Sequence, residues 1–246
     1  MDEPTQRPGQ SDVVLLSQEE QATQVLVKVV ENLWDAVNEL TRLRRTHKDY
    51  YYVSVFGSAR ITHDSLEYQQ VKELAASLAK LNCGIITGGG PGLMQAANEG
   101  IVSGNPEALS RSVGIRIDLP YEQNANPFIG KVYQHKTFFS RLHQFMIMSD
   151  AFIVMPGGVG TLLELSMVWQ LLQVRKLYDT PLILVGEMWK SLMDWSQTYM
   201  ITENNKLASE VDLQIPKCVN DTAEAVKIIT EHKQLWLRTH APKPSV

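Results

Sequence analysis

The stretch from Asp150 to Glu164, DAFIVMPGGVGTLLE, restricts the possible folds more than any other part of the chain. Ala151 to Met155 is an apolar run with β-forming side chains, which predicts a short buried strand. Pro156 ends this strand, and the glycines within Gly157–Gly160 leave backbone N–H groups unobstructed by Cβ atoms. Thr161 then opens a helical pattern. This order predicts an anion site, because the first N–H groups of a helix and its dipole favour negative charge.

Glu164 does not fit a simple anion site. It lies about one helical turn inside the predicted helix start, where a carboxylate is a poor ligand for an anion. Taken alone, it could serve only to complement the helix dipole. Its position directly after a predicted phosphate-type turn indicates a separate role.

The composition excludes several classes of protein. The chain has 246 residues, of which 44% are hydrophobic and 20% charged, so it can form one large α/β domain or two small ones. A net charge of −4 argues against broad nucleic-acid binding but not against small anionic ligands. No apolar run approaches the ~18 residues of a membrane span, and the polar N-terminus lacks a signal-peptide core. Since Cys83 and Cys218 are the only cysteines, we expect a reducing, cytoplasmic setting without a disulfide framework.

The alternation of strand and helix patterns predicts a Rossmann-like α/β fold, a doubly wound parallel sheet flanked by helices. In such a sheet, ligands bind at the carboxyl ends of the strands. The predicted strands are residues 51–56, 83–87, 113–117, 131–135, 151–155, 181–185 and a weak edge strand at 211–215. The predicted helices are residues 65–81, one from 93, 137–148, one from 161, 187–200 and 221–237. We expect Trp189 and Trp195 to lie in the core.

The domain organisation is predicted to be simple. Residues 1–17 are rich in Pro, Gln, Gly and Ser, which predicts a disordered tail. Residues 18–48 have apolar side chains at helical spacing and a basic C-terminal end, as in an amphipathic helix packed on the domain or on a partner subunit. Residues 49–238 form a single Rossmann-like domain, and residues 239–246 a second disordered tail.

Three turns that can bind an anion follow three of the predicted strands. They are Gly57-Ser58, Gly88–Gly92 and Gly157–Thr161. Because the carboxyl ends of parallel strands meet at one edge, we expect the turns to form one site. None of them contains the Gly-Lys-Ser/Thr of a P-loop or a dinucleotide-type G-x-G-x-x-G, which argues against ATP hydrolysis and hydride transfer. Ser58 could also serve only to cap its turn.

Three motifs together resemble the Lonely Guy family: GGGPGLMQAANEG at 88–100, FFSRLHQ at 138–144 and PGGVGTLLE at 156–164. The resemblance covers roughly residues 50–235. Family members are nucleoside 5′-monophosphate phosphoribohydrolases, often mislabelled as lysine decarboxylases. The resemblance implies that residues 49–238 are a nucleotide-binding catalytic domain. It further implies a homodimer without cofactor that hydrolyses AMP or a cytokinin riboside monophosphate to free base and ribose 5-phosphate.

The resemblance implies that Arg141 and Glu164 are the catalytic pair and that the glycine turn binds the phosphate. The substrate-binding residues it implies are Ser58, Gly89, Gly90, Met94, Glu122, Gly157, Gly158, Val159, Gly160 and Thr161. Met94 fits a core position at least as well as a wall of the base pocket, and Glu122, in the long polar loop at 118–130, is assigned to the ribose or base. Plant-type members have Arg-Lys where this chain has Arg141-Leu142, a departure from the cytokinin-type pattern.

The chemistry of N-glycosidic cleavage agrees with this assignment. The reaction builds positive oxocarbenium character on the ribose, which the Glu164 carboxylate can stabilise while it activates or orients the attacking water. Arg141 can bind phosphate or ribose oxygens and offset the repulsion between the phosphate and Glu164.

Two other functions are compatible with parts of the sequence. Molybdenum-cofactor carriers have a similar fold and glycine turns and bind a phosphorylated pterin, but they have no need of the Arg141 and Glu164 pair. Lysine decarboxylation needs a Schiff-base lysine with pyridoxal phosphate, and none of the three turns contains a lysine. His135 and His143 have no third ligand at a recognisable spacing, so we expect no metal site.

Overall fold

The computed structural model describes residues 23–31, 33–34, 49–118, 125–201 and 206–240. The predicted tail at 1–17, most of the predicted helix at 18–48 and Glu122 lie outside these residues. The chain divides into two units, residues 1–48 and residues 49–246. In the first unit, residues 23–31 and 33–34 are helical (α1), and large apolar side chains along this helix are exposed.

The second unit contains the predicted parallel sheet. Its seven strands lie in the order β4-β3-β2-β1-β5-β6-β7, and every neighbouring pair is parallel. The strands are β1 Tyr51–Phe56, β2 Cys83–Thr87, β3 Ser112–Ile117, β4 Lys131–His135, β5 Ala151–Val154, β6 Leu182–Val185 and β7 Pro216–Val219. From β1 the chain moves outward to β4 and then returns to place β5 on the other side of β1. The carboxyl ends of β1 and β5 therefore flank the point at which the strand order reverses, where open α/β sheets bind ligands.

Helices connect the strands. They are α2 Leu66–Lys80, α3 Leu93–Gly104, α4 Phe138–Met148, α5 Val159–Gln173, α6 Glu187–Met200, α7 Glu210–Leu213 and α8 Thr222–His240, with a 3-10 helix at Pro106–Arg111. The Ser65 and Thr137 side chains accept hydrogen bonds from the N–H groups of Tyr68 and Ser140, which stabilises the first turns of α2 and α4. No helix in the described ranges is long and apolar enough to cross a membrane.

The sheet separates two apolar cores. Alternate residues of each strand face opposite sides, so Val53 and Val55 of β1 belong to one core and Phe56 to the other. Helices α2, α3 and α8 cover the first core, whereas α4, α5 and α6 cover the second. This two-sided cover explains why the central strands are almost uniformly apolar in sequence.

Two predictions are wrong in detail. The predicted edge strand at 211–215 begins in the short helix α7, and the edge strand on that side of the sheet is β7. The reason is a capping box, in which the Ser209 side chain accepts from the Asp212 N–H and the Asp212 side chain accepts from the Ser209 N–H. Trp189 is buried as expected, but Trp195 is half exposed, because it lies on the outward side of α6 beside Tyr199.

Two helix ends also differ from the prediction by two residues or more. The helix predicted from Thr161 begins two residues earlier, at Val159, with Gly158 as its N-cap. The closing helix α8 extends to His240, beyond the predicted end at Leu237 and into the predicted tail. Asp221 accepts a hydrogen bond from the Glu224 N–H, as expected for its predicted capping role.

Helices α2 and α3 pack closely through two glycines. A Cβ added at Gly100 would lie 2.8 Å from the Cβ of Ala75 and would also clash with the Lys72 carbonyl oxygen. A Cβ at Gly104 would lie 2.6 Å from the Cα of Ala76. The missing side chains therefore allow the two helix backbones to come into contact.

Gly100→Ala should destabilise the protein although alanine is the better helix former. Alanine gains about 1 kcal/mol of helix propensity, but a Cβ that overlaps a backbone carbonyl costs about 3 kcal/mol, the upper end of the range for overpacking. We expect a net loss of about 2 kcal/mol in the free energy of unfolding, measured by urea titration. The matched control is Gly160→Ala in α5, where the added Cβ meets no heavy atom within 4 Å. Equal stability of the two variants would contradict the close helix contact.

Candidate active site

Main-chain hydrogen bonds join the three glycine-containing turns at the carboxyl edge of the sheet. The Ser58 N–H donates to the Pro156 carbonyl over 3.1 Å, and the Leu93 N–H donates to the Ser58 carbonyl over 2.9 Å. The turn after β1 is thereby connected to the turn after β5 and to the start of α3. Gly92 has a φ of 68°, and a Cβ there would clash with the Ser58 carbonyl oxygen, so this position requires glycine.

The start of α5 has the features of an anion site. Its N-cap, Gly158, forms no side-chain cap hydrogen bond. Cβ atoms added at Gly158 or Gly160 would meet no heavy atom within 4 Å, and Val159 is 85% exposed. Thr161 is buried, and its side chain occupies the space that a side chain at residue 157 would need. The first N–H groups of α5 are thus accessible to a ligand at the positive end of the helix dipole.

Arg141 and Glu164 form an ion pair next to these turns. The distance between Arg141 Nη1 and Glu164 Oε1 is 3.0 Å, and their side chains are only 12% and 11% exposed. Arg141 also donates from Nε to the Ile115 carbonyl over 3.0 Å, and its guanidinium lies 5.1 Å from the centre of the Phe145 ring. Contacts from β3 and α4 therefore hold the guanidinium in a single orientation toward α5.

Burial controls the protonation of this site. It raises the pKa of Glu164 above its ordinary value, and the Arg141 charge and hydrogen bond act in the opposite direction. Burial lowers the pKa values of His135 and His143, and the Arg141 charge lowers that of His135 further. Both histidines are therefore neutral at pH 7, and Arg141 supplies positive charge beside Glu164.

The turn after β2 forms the adjoining wall of the site. A Cβ added at Gly88 would lie 2.7 Å from both Arg141 Nη2 and Met94 Sδ. A Cβ at Gly90 would lie 2.8 Å from Met94 Cε. Arg141 and Met94 can occupy these positions only because the turn lacks side chains. Met94 thus borders the turn, and its role as a pocket wall stays a prediction.

The other residues singled out in the sequence have different surroundings. The Ser58 hydroxyl accepts from the Arg60 N–H over 3.1 Å, so it caps its own turn. Leu142, the position of the lysine in plant-type members, is buried in the interior. Gly89 lies in the turn beside Gly114 and has a φ of 75°, a conformation suited to glycine. The structure does not describe Glu122.

Sequence reasoning missed a buried polar network behind the turn after β2. It joins Thr87, Asn98, Ser112 and Asn126, all of which are buried. A signal for one member exists in the motif at 88–100, because Asn98 is a polar residue between Ala97 and Ile101 on a helix face that is otherwise apolar. Among the residues that the structure describes, no group of three His, Cys, Asp or Glu side chains could hold a metal ion.

The fold and the site together define a Rossmann-like α/β protein with a phosphate-type cradle and a buried arginine–glutamate pair. A family model described as "Possible lysine decarboxylase" matches residues 94–229, more than half of the chain. The chain therefore belongs to this family, which is the Lonely Guy family that the motifs indicated.

Curated relatives come from bacteria. The pyrimidine/purine nucleotide 5′-monophosphate nucleosidase of Escherichia coli (strain K12) is 29% identical over 126 residues, which are 49% of this chain and 28% of that protein. The protein of the same name from Escherichia coli O157:H7 matches equally. This chain thus spans less than a third of the length of these relatives.

Similar solved structures confirm the fold. The molybdenum cofactor binding protein from Rippkaea orientalis has a TM-score of 0.54 at 16% identity, covering 74% of this chain and 96% of that one. The molybdenum cofactor carrier protein from Chlamydomonas reinhardtii has a TM-score of 0.55 at 15% identity, covering 75% and 99%. At this identity the likeness concerns the fold alone.

Arg141→Gln should make the stability of the protein depend on pH. The charge and hydrogen bond of Arg141 oppose the effect of burial on the pKa of Glu164. In Arg141→Gln this opposition is lost, so the pKa of Glu164 rises further. A folded-state pKa above the unfolded-state value means that the folded protein binds more protons, so stability falls as pH rises through the folded-state pKa. We expect the free energy of unfolding to fall relative to wild type by on the order of 3 kcal/mol at about pH 8, and by less at about pH 5.

Urea unfolding across this pH range measures the effect. The control is the Arg141→Gln, Glu164→Gln double variant, in which the added pH dependence should disappear because no ionisable group remains at residue 164. A pH dependence shared by the single and double variants would show that Glu164 is not its source.

Proposed function

We propose that this chain is a nucleoside 5′-monophosphate phosphoribohydrolase. It hydrolyses the N-glycosidic bond of AMP or a cytokinin riboside monophosphate to free base and ribose 5-phosphate. The observation that carries the proposal is the buried Arg141–Glu164 pair, 3.0 Å apart, beside an uncapped helix start. Membership of the Lonely Guy family and the similarity to a nucleosidase support it.

In the proposed mechanism, the phosphate binds at the N-terminus of α5. The residues that bind it are Gly157, Gly158, Val159, Gly160 and Thr161. Their N–H groups and the helix dipole stabilise its charge. Because Glu164 lies in the next turn of the same helix, it faces the ribose when the phosphate occupies the helix start.

Glu164 then acts on the sugar. As the bond from C1′ to the base nitrogen breaks, its electron pair leaves with the base, and positive charge develops on the ribose. The Glu164 carboxylate stabilises this charge and accepts a proton from the water that attacks C1′. The departing base nitrogen takes up one proton, from Glu164 or from solvent, so that neutral free base is released and the carboxylate is restored. Arg141 offsets the repulsion between the carboxylate and the phosphate and binds phosphate or ribose oxygens.

The base lies against the turn after β2 in this proposal. Gly89, Gly90 and Met94 form the wall of the base pocket. Ser58 contributes to the substrate site through the turn after β1, and Glu122 remains a predicted contact to the ribose or base. The side chain at position 142 is apolar and buried, so it offers no cation to the substrate. AMP is therefore the first substrate to test, and a cytokinin riboside monophosphate the second.

The structural neighbours suggest a second candidate, a non-catalytic carrier of a molybdenum cofactor. A carrier needs the phosphate-type cradle but has no need of the buried Arg141–Glu164 pair beside it. Thermal shift with AMP and with a molybdopterin-type ligand separates the two functions. Stabilisation by the pterin alone would favour the carrier.

The description of the family model suggests lysine decarboxylation as a third candidate. This reaction requires a lysine that forms a Schiff base with pyridoxal phosphate. The three turns contain no lysine. N-glycosidic hydrolysis needs a phosphate cradle and a carboxylate, and the proposal takes these from the turns and from Glu164 in α5. A visible absorbance band of bound pyridoxal in the purified protein would contradict our choice.

We further propose that the chain forms a homodimer through α4 and α5 in a cytoplasmic setting. Large apolar side chains at the starts of both helices are exposed: Phe138, Phe139, Val159, Leu162 and Leu163. Their burial against a second copy would be favourable at about 25 cal/mol per Å². The free thiols of Cys83 and Cys218 suit a reducing compartment.

Glu164→Gln should abolish most of the activity while preserving the shape of the side chain. Loss of one electrostatic partner of the transition state lowers kcat by on the order of 10²–10³. The measurement is the release of free base from AMP, followed by chromatography. The control is Glu187→Gln, which changes a carboxylate in the first turn of α6, far more exposed than Glu164. Undiminished turnover by Glu164→Gln would refute the mechanism.

Phe139→Glu should convert the proposed dimer into a monomer. Phe139 is 81% exposed, so the substitution costs little in the folded monomer but places a charge in an apolar interface. Light scattering measures the mass of each variant. Leu207→Glu is the control, because Leu207 is equally exposed but lies on the segment between α6 and α7. A monomeric wild-type chain would refute the proposal.

A further inference from the structure

Asn126 binds the turn after β2 with both its backbone and its side chain. Its N–H donates to the Gly89 carbonyl over 3.0 Å. Its Nδ2 donates to the Gly90 carbonyl and to Asn98 Oδ1, each over 3.0 Å. Its Oδ1 accepts from the Phe128 N–H over 3.2 Å. Both amide hydrogens and the amide oxygen are thus used, and the residue is only 7% exposed.

Asn98 connects this anchor to the sheet. Its Oδ1 accepts from the Thr87 hydroxyl over 2.6 Å as well as from Asn126, and its Nδ2 donates to the Ser112 hydroxyl over 2.9 Å. Thr87 Oγ1 accepts in turn from the Gly89 N–H over 2.9 Å. The network therefore holds Gly89 on both sides, through its N–H and its carbonyl, and ties it to the ends of two strands.

This turn requires an external anchor. Consecutive glycines have the largest conformational freedom of any residues, and Gly89 adopts a left-handed φ of 75°. The residues on either side of Gly89 contact the site, since Gly88 adjoins Arg141 and Met94, and Gly90 adjoins Met94. A shift of the turn would therefore move the wall against which the substrate is proposed to bind.

We propose that Asn126 is a positioning residue for the substrate site, acting through the main chain of Gly89 and Gly90. The inference rests on the proposed hydrolysis of a nucleoside monophosphate, for which this turn is the base-side wall. In this proposal the turn contacts the substrate equally in the ground state and in the transition state. Disorder of the turn should therefore weaken both interactions to the same extent, which raises KM more than it lowers kcat.

The first test is Asn126→Ala, assayed for KM and kcat with AMP. We expect KM to rise about tenfold, because the buried Gly90 carbonyl loses its hydrogen-bond donor. We expect kcat to stay within about threefold of wild type. Ser54→Ala is the matched control. It removes another buried hydrogen bond, of 2.6 Å to Ser149, away from the turn. Its KM should equal that of wild type.

Asn126→Asp adds a readout that a loss of stability alone would not produce. A deprotonated carboxylate at this position cannot donate and faces the carbonyl oxygens of Gly90 and Asn98. A protonated carboxyl can donate one hydrogen bond, and burial raises its pKa. The KM of Asn126→Asp, divided by the KM of wild type at the same pH, should therefore fall at least threefold as pH drops from about 8 to about 5.5. The same ratio for Asn126→Ala should stay constant.

The outcomes separate this inference from the proposed function. If the wild-type chain hydrolyses AMP but Asn126→Ala has the same KM as Ser54→Ala, Asn126 has no positioning role and the hydrolase proposal stands. If the KM of Asn126→Asp relative to wild type does not change with pH, the inference about Asn126 is also overturned, and the hydrolase proposal again stands. If the wild-type chain hydrolyses no nucleoside monophosphate, the proposed function fails, and the inference fails with it.

Discussion

The site depends on two backbone hydrogen bonds of a single residue, Ser58. Through them, the turn after β1 joins the Pro156 carbonyl on one side and the Leu93 N–H on the other. Three segments that are far apart in the sequence therefore meet where the strand order reverses. Because the bonds use main-chain atoms, they set the geometry of the cradle without specifying the side chain at residue 58. Gly92 is specified instead, since only a residue without Cβ can come so close to the Ser58 carbonyl.

The Arg141–Glu164 pair shows how the fold accommodates a carboxylate beside an anion cradle. Burial disfavours the charged form of Glu164, and the guanidinium, held by the Ile115 carbonyl and the Phe145 ring, partly compensates. Apolar residues of similar volume would often be at least as stable as such a buried pair. Stability alone therefore gives little reason for a pair at this position, whereas the proposed hydrolysis of a nucleoside monophosphate would give a direct one.

Most of the fold was predictable because its signals are local. Apolar runs and the turn residues that end them lie within a few positions of each other, and the first six strands match the prediction within one or two residues. The segment 211–215 was mispredicted because a weak alternation of apolar residues competes with the reciprocal cap between Ser209 and Asp212. The motifs identified the glycine turns, but the pairing of Asn98 with Asn126 joins residues 28 positions apart. A single sequence contains no signal for a hydrogen bond at that separation.

The loop that follows β3 has fixed ends. The Asp118 N–H donates to the His135 carbonyl over 2.8 Å, and the Asn126 N–H donates to the Gly89 carbonyl over 3.0 Å. Neither bond involves a side chain of the residues in between, and each doubling of loop length costs only about 0.6 kcal/mol. A change in the length of this segment should therefore leave the cradle in place, and the same two anchors are suitable junctions for grafting another loop onto this chain.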